Sequence, residues 1–397
     1  MSLPTVVQFG AGNIGRGFMG QLWTEGGYEV VFVDVDEQLV QALNARRGYP
    51  IRFVESDGHE ERVLGPVRAV NGRDVPAVAD ALARCAFACT AVGVNVFAHL
   101  APTLAAGVAA RAARNPSVPL NVLCCENQAG AGALLRAAVA SALPPEEPVH
   151  SYFAGRVAFV DASVGRMVPA QTSALRAEDP LLVAAEPYHD LPIDGSAWLG
   201  PLPAIPGLHP KNNFAGYVAR KLFTHNGGHA LLAYLGYLRG HATIWQAAED
   251  AALIRALRGA WDETGAALVA AWGFDPAEQR RHEDDLLRRF RNRALGDTIE
   301  RVARDPLRKL RPDDRLVGGA LLCLERGITP VHVCRGIAAA LRYDAPDDPT
   351  AGRVRGEVAG GGVRGALQTL CGLAEDSPLA ALVASAYEDL ENQTPCP

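Results

Sequence analysis

The sequence lacks the features that define several broad protein classes. No apolar run approaches the ~20 residues needed to span a bilayer, and Met1 to Pro4 leads straight into a strand-like run without a charged n-region or cleavage site. A membrane or secretory role is therefore not expected, and the chain reads as soluble and cytoplasmic. None of the eight cysteines (Cys85, Cys89, Cys124, Cys125, Cys323, Cys334, Cys371 and Cys396) forms a C-x-x-C pair, and their density is far below that of a disulfide scaffold. A thiolate zinc site is excluded on this pattern, and buried small hydrophobes are the expected role. No clustered basic footprint accompanies the net charge of -6, so nucleic acid is not an expected partner. The short basic stretch from Arg288 to Arg293 reads as a solvated helix face. No fixed-period repeat or coiled-coil seam is visible, and a monomer is expected.

What is present is a long chain with material for a core. Its 397 residues, 49% hydrophobic and 21% charged, suggest two folded domains. In the first third, β-branched runs alternate with helical stretches. Strands are expected at Thr5 to Phe9, Glu29 to Val33, Phe87 to Val92, Leu120 to Cys124 and Val157 to Val160, with a helix over Gly15 to Glu25. Strands separated by helices imply right-handed crossovers and a mostly parallel, doubly wound sheet. The Pro- and Gly-rich segment from Asp190 to Pro210 reads as a connection. From Asn213 to Ala340 apolar residues recur at helical spacing and strand signals nearly vanish. The fold class expected is thus α/β, a Rossmann-type domain over residues 1–195 followed by a mainly α-helical domain over 196–397. The stretch Ala359 to Gly365 would separate two late helices.

The first chemical motif is Gly10-Ala11-Gly12-Asn13-Ile14-Gly15, between the first strand and the first helix. Gly10 suits the tight turn, Gly12 lets a pyrophosphate approach the backbone, and Gly15 lets helix and strand pack closely. The helix N-terminus adds free N–H groups and partial positive charge. Asp34 closes the second strand 19 residues beyond Gly15, and Val35 and Asp36 follow it with no arginine. A carboxylate there accepts from both ribose hydroxyls and repels a 2′-phosphate, which favours NAD over NADP. Thr90 and Val92, at the end of the third expected strand, are further candidate cofactor contacts. A structural glycine turn without cofactor is the competing reading.

The second constellation is Lys221-Leu-Phe-Thr-His-Asn226-Gly-Gly-His229 on an expected helix. At about 100° per residue, Asn226 lies roughly 140° and His229 roughly 80° from Lys221, so all three can face one cleft. A buried lysine loses proton affinity and can act as a base. An asparagine amide can donate to a developing alkoxide. By spacing alone, a solvated surface lysine fits as well, so spacing does not decide. Tyr217-x-x-x-Lys221 also matches the Tyr/Lys pair of short-chain dehydrogenases, but that pair lies inside the nucleotide domain of shorter chains, and the match is set aside.

With these residues in hand the sequence resembles the long-chain polyol dehydrogenase family almost end to end. The resemblance runs from Phe9-Gly-Ala-Gly-Asn-Ile-Gly-Arg-Gly-Phe18 to Gly336-Ile-Ala-Ala-Ala340. Between them lie Ala42-Leu-Asn-Ala-Arg46, Cys125-Glu-Asn127, Phe159-Val-Asp161, Arg220-Lys-Leu-Phe-Thr224, Gly228-His-Ala230, Ala233-Tyr-Leu-Gly236 and Asp305-Pro-Leu-Arg-Lys-Leu310. The resemblance implies a metal-independent, NAD-dependent enzyme acting on a small-molecule sugar alcohol phosphate. Lys221 would take the proton from the C5 hydroxyl of mannitol 1-phosphate while its hydride passes to nicotinamide, giving fructose 6-phosphate. Asn127 and Asn226 would hold the oxygen as charge develops, and His229 would bind a neighbouring hydroxyl. Arg308, Lys309 and Arg315 are candidates for the phosphate, since a dianion calls for charge-assisted donors; surface ion pairs are the alternative for each.

Three positions depart from the family pattern. Gly165 replaces an aspartate, Ala219 replaces a glutamate two residues before the lysine, and Gly318 replaces a lysine. These departures leave the chemistry in place and put the substrate in question. The alternatives are a dehydrogenase of an unphosphorylated polyol or sugar acid, or a non-catalytic NAD-binding sensor.

Overall fold

Six short strands rich in Val, Phe, Leu and Cys form the spine of the N-terminal part: β1 (Thr5–Phe9), β2 (Glu29–Asp34), β3 (Val67–Asn71), β4 (Phe87–Thr90), β5 (Leu120–Cys124) and β6 (Val157–Asp161). The structure, a computed structural model, describes residues 3–169 and 171–393. All neighbouring pairs in this sheet are parallel, and the order is β3-β2-β1-β4-β5-β6. The order reverses at β1, so the carboxyl ends of β1 and β4 flank the crevice where doubly wound sheets bind ligands. The strands carry nearly continuous apolar runs because both faces are covered. One face packs with Phe18, Leu22 and Trp23, the other with Leu100, Leu104 and Val108.

Two features of this part were not expected. A hairpin, Tyr49–Glu55 with Gly58–Leu64, precedes β3 and is joined in parallel by Val183–Ala185. The segment expected to be a connection instead holds two short parallel strands, Leu191–Asp194 and Leu208–Lys211. Leu191, Ile193, Ile205 and Leu208 are buried in the same core as Trp23. For that reason the two compact units divide at Phe214 and Ala215, not near residue 195.

The helix spanning Val94–Arg114 corrects a further expectation, since its 21 residues are long and apolar enough to cross a membrane. Here its apolar side covers the sheet. Arg111 is buried in it and donates to the carbonyls of Leu82, Cys85 and Pro119.

The second unit, Ala215–Pro397, is helical, and among the described residues its only β pairing is a bridge between Thr243 and Thr298. Its central helix, Val331–Leu341, packs against Gly227–Leu238, Ala251–Trp272 and Pro378–Gln393. Small residues on that helix (Gly336, Ala338, Ala339, Ala340) allow the close approach. The late glycine-rich stretch separates two helices as expected, by a kink within Pro349–Cys371 at Gly362, whose φ of 67° is left-handed. The seven described cysteines are buried and free, while Cys396 lies outside the described residues.

Candidate active site

In the first unit the glycine loop behaves as its spacing predicts, with one addition. Gly10 has φ +85°, and a Cβ there would sit 2.5 Å from the Ala91 carbonyl oxygen. A Cβ on Gly15 would overlap the Gly10 carbonyl, whereas one on Gly12 would meet nothing within 4 Å. Gly10 and Gly15 are thus occupied by the fold, and Gly12 keeps an open backbone surface that a pyrophosphate can fill. Ala11 N–H donates to Asp34 Oδ2 at 2.7 Å and Asp36 N–H donates to Oδ1 at 3.1 Å. The carboxylate expected to hold ribose hydroxyls is therefore fixed to the loop expected to hold the phosphates. Asn13 and Ile14 begin the helix, which then widens into a π-helix over Gly15–Met19. Tyr49 Oη–H donates to the Arg16 carbonyl at 2.7 Å, and Arg166 Nη1 to the Gly17 carbonyl at 2.9 Å. Arg16 itself donates from Nε to the Ala11 carbonyl at 2.7 Å, which ties the loop down.

Thr90 is fully buried at the end of β4, and Val92 is half-buried beyond it. Glu126, to which the sequence motifs assign no role, braces this region. Its two carboxylate oxygens accept from Val92 N–H (3.1 Å) and Gly93 N–H (2.8 Å). Asn127, the next residue, is exposed.

In the second unit the lysine motif is not an ordinary helix. Lys221–Asn226 is a π-helix that continues into the helix Gly227–Leu238. A π turn closes on residue i+5, which draws Asn226 closer to the face of Lys221 than the roughly 140° an α-helix would set between them. Lys221 is partly buried, and burial, then the positive charge of Arg315, push its pKa down to about 8 against the pull of Asp314. A lysine in that range exchanges protons near neutral pH.

His229 stacks on Phe290 with ring centroids 4.9 Å apart, and its Nε2 lies 3.3 Å from Asp297 Oδ2. Burial opposes ionisation of Asp297, but contacts to His229 and Arg301 outweigh it and hold the carboxyl below its usual range. With Nε2 facing Asp297, Nδ1 is the nitrogen left to accept a hydrogen bond from a hydroxyl. Asp297 was missed because it lies 68 residues from His229 with no local motif.

The three phosphate candidates are placed differently. Arg315 Nε donates to Asp314 Oδ1 at 2.7 Å, and Arg308 Nε to Asp305 Oδ2 at 3.1 Å. Lys309 is buried and gives its ammonium to the Arg304 carbonyl; burial, then Arg315 and Arg308, lower its pKa to about 7. Direct pairing with a phosphate would therefore fall to the two arginines rather than to Lys309.

The departures have steric causes in this chain. A Cβ on Gly165 would press to 3.2 Å from Tyr188 Cε1, and one on Gly318 would lie 2.8 Å from the Pro312 carbonyl. Ala219 packs in an apolar cluster with Leu268, Phe274 and Leu322, where a glutamate would be costly. Among the described residues no three His, Cys, Asp or Glu side chains gather as a metal site.

Comparison with known proteins accords with this division. Residues 4–207 match the mannitol dehydrogenase Rossmann domain and residues 213–393 the mannitol dehydrogenase C-terminal domain. A mannitol-1-phosphate 5-dehydrogenase of Brevibacillus brevis is 43% identical over 377 residues, covering 95% of this chain and 96% of the relative. That of Bacillus licheniformis is 38% identical over 380 residues, covering 96% and 98%. Among solved structures, a Pseudomonas fluorescens mannitol 2-dehydrogenase ternary complex with NAD and D-mannitol is 19% identical with a TM-score of 0.74, covering 99% of this chain and 93% of that one. A substrate-free D-sorbitol dehydrogenase is 17% identical with a TM-score of 0.82, covering 99% and 94%. With both domain models matched in sequence along nearly the whole chain, this protein belongs to the mannitol dehydrogenase family.

Proposed function

We propose that this chain is an NAD-dependent dehydrogenase interconverting mannitol 1-phosphate and fructose 6-phosphate, with Lys221 as the general base. The observation that carries the reading is the lysine itself, partly buried, depressed to about 8, and set on a π turn that aligns it with Asn226. The high identity to two mannitol-1-phosphate 5-dehydrogenases supports the substrate.

The open backbone at Gly12 and the loop-bound carboxylate of Asp34 fit NAD, with Gly10 to Gly15, Asp34, Thr90 and Val92 as the residues that would hold it. When bound, NAD supplies the nicotinamide that accepts or returns a hydride. The chain's own residues handle the proton and the orientation. Neutral Lys221 accepts the proton of the C5 hydroxyl, and in reduction the ammonium returns it. The amide of Asn226 donates to the oxygen on which charge develops. His229 accepts a neighbouring hydroxyl at Nδ1 while Asp297 fixes its ring. Lys221 and Lys309 each feel the positive charge of Arg315 and Arg308, opposed by Asp314 at both and by Asp305 at Lys309. This positive excess suits a phosphate dianion, with Arg308 and Arg315 as its partners.

The second unit is thereby read as the substrate-binding part. The reading also takes the enzyme to be a cytoplasmic monomer without nucleic-acid or membrane partner, the first of which the net charge of -6 supports. One observation favours the unphosphorylated polyol instead: both arginines already carry a carboxylate partner. Comparing NADH oxidation with fructose 6-phosphate and with fructose, in the wild type and in Lys221→Ala, decides between the two. Turnover with the phosphorylated ketose alone, lost in the variant, is expected. Turnover with fructose alone would move the substrate to free polyols, and an active Lys221→Ala would remove the base.

A further inference from the structure

The π-helix that aligns Lys221 with Asn226 needs an outside partner. Widening a helix from an i+4 to an i+5 ladder leaves a main-chain carbonyl poorly served. Here the Gly227 N–H is shared between the Leu222 carbonyl, five residues back, and the Thr224 carbonyl, three residues back. Thr224 is fully buried, so water cannot complete its carbonyl. Trp261, 1% exposed on the helix Ala251–Trp272, does so, donating from Nε1 at 2.8 Å.

The approach is built from both sides. A Cβ on Gly228 would lie 2.6 Å from Trp261 Nε1, so the missing side chain there is what admits the indole to the helix backbone. Gln279, also buried, donates from Nε2 to the Thr224 hydroxyl at 3.1 Å and to Glu283 at 2.9 Å. Thr224 is thus held at both its carbonyl and its hydroxyl by two different helices. Phe290, which stacks on His229, lies 6.3 Å from the Trp261 ring, so the same neighbourhood supports the third residue of the motif.

We propose that Trp261 is a positioning residue for the reaction: its indole N–H stabilises the π register that draws Asn226 toward the face of Lys221. Without the N–H, the segment recovers its lost hydrogen bonding by closing to an α-helix. Asn226 then rotates to roughly 140° from Lys221, and the oxygen of the reacting carbinol loses one of its donors. This rests on the reading of Lys221 as the base and Asn226 as a donor to the substrate oxygen.

The test is a double-mutant cycle on the full chain, with fructose 6-phosphate and NADH. Trp261→Phe keeps the ring and deletes the donor. It is expected to lower kcat by about tenfold to a hundredfold, as small misplacements of reacting groups do. The KM for NADH should stay within about twofold, because the cofactor loop is untouched. In an Asn226→Ala background the same substitution should cost less than about twofold, since the group it positions is gone. Gly228→Ala, which pushes the indole away, should reproduce the loss and carries the test by the same criteria if Trp261→Phe does not fold. An unchanged kcat in Trp261→Phe, or an equal loss in both backgrounds, would overturn the inference. A wild type that turns over without needing Lys221 would instead strike the functional reading beneath it.

Discussion

Among the described residues each unit contains one π-helical segment, and the two are stabilised in different ways. Gly15–Met19 follows a glycine loop, and its carbonyls at Arg16 and Gly17 are taken by the Tyr49 hydroxyl and the Arg166 guanidinium. Lys221–Asn226 follows no such loop and is served by the indole of Trp261 and the amide of Gln279. The first segment is wholly buried, and the open backbone lies just ahead of it at Gly12, so the main demand on the loop is the absence of side chains. In the proposed function the second would present side chains to a substrate, so its register matters more than its composition. Backbone sites tolerate many neighbours, whereas side-chain sites depend on a few distant ones.

The comparison can be broken most forcefully through pH. If Lys221 is the base, polyol oxidation needs its neutral form, and kcat should rise about tenfold per pH unit until the pKa near 8 and then level. Ketose reduction needs the ammonium and should be flat below that value and fall above it. Two limbs crossing near pH 8, both absent in Lys221→Ala, are expected from pH–rate profiles in the two directions.

A second pair of variants separates the glycines by role. Gly15→Ala overlaps the Gly10 carbonyl and should lower stability by about 1–3 kcal/mol in denaturant melts. Gly12→Ala meets no protein atom and should melt like the wild type, yet bind NADH about tenfold more weakly in titrations. Equal melting of both variants would remove the distinction between an occupied and an open glycine.

Next in size is the stability cost of the base. A lysine whose folded pKa lies below its unfolded value opposes folding at pH below the folded value, and this cost fades as pH rises toward 10.5. Lys221→Met should therefore be more stable than the wild type at pH 7 by about 1–2 kcal/mol, the gain shrinking by pH 10. The smallest effect is expected at Asp297. Its carboxyl is held below the usual range, so its contribution is present above the unfolded pKa and lost as pH falls through the folded one. Asp297→Asn should melt lower at pH 7 by about 1 kcal/mol, with the gap closing below roughly pH 4.

Much of the first unit was legible because its signals are local. The strand at Thr5–Phe9, the loop from Gly10 to Gly15 and the carboxylate at Asp34 lie within one supersecondary unit, and each role is set by neighbours in sequence. The hairpin was harder: Gly58–Leu64 is polar and almost wholly exposed, so no apolar alternation marks it as a strand. The short strands near Leu191 and Leu208 hid in Pro- and Gly-rich sequence, and what makes them part of the core is Trp23, far back in the chain. At the lysine, the residues were visible and their geometry was not. The assumption of about 100° per residue fails on a π turn, and the cause, Trp261, lies 37 residues beyond Thr224. Lys309 was misplaced for a related reason, since only the folded turn shows its ammonium spent on the Arg304 carbonyl.

The long apolar helix at Val94–Arg114 has a consequence during synthesis. It packs against Val75–Arg84, which is made before it, but also against Ala131–Ser141 and Glu147–Arg156, which are made after. Strand β5 at Leu120–Cys124, which shares its core, is likewise still to come. As the chain leaves the ribosome, a segment of membrane-like length is finished before part of its cover exists. For some tens of residues of elongation, Arg111 and Arg114 at its end are the charges that oppose its capture by a bilayer or by another nascent chain. Once the sheet closes, Arg111 becomes the clamp that binds the helix to Leu82, Cys85 and Pro119, so one residue guards the helix in the open chain and locks it in the folded one.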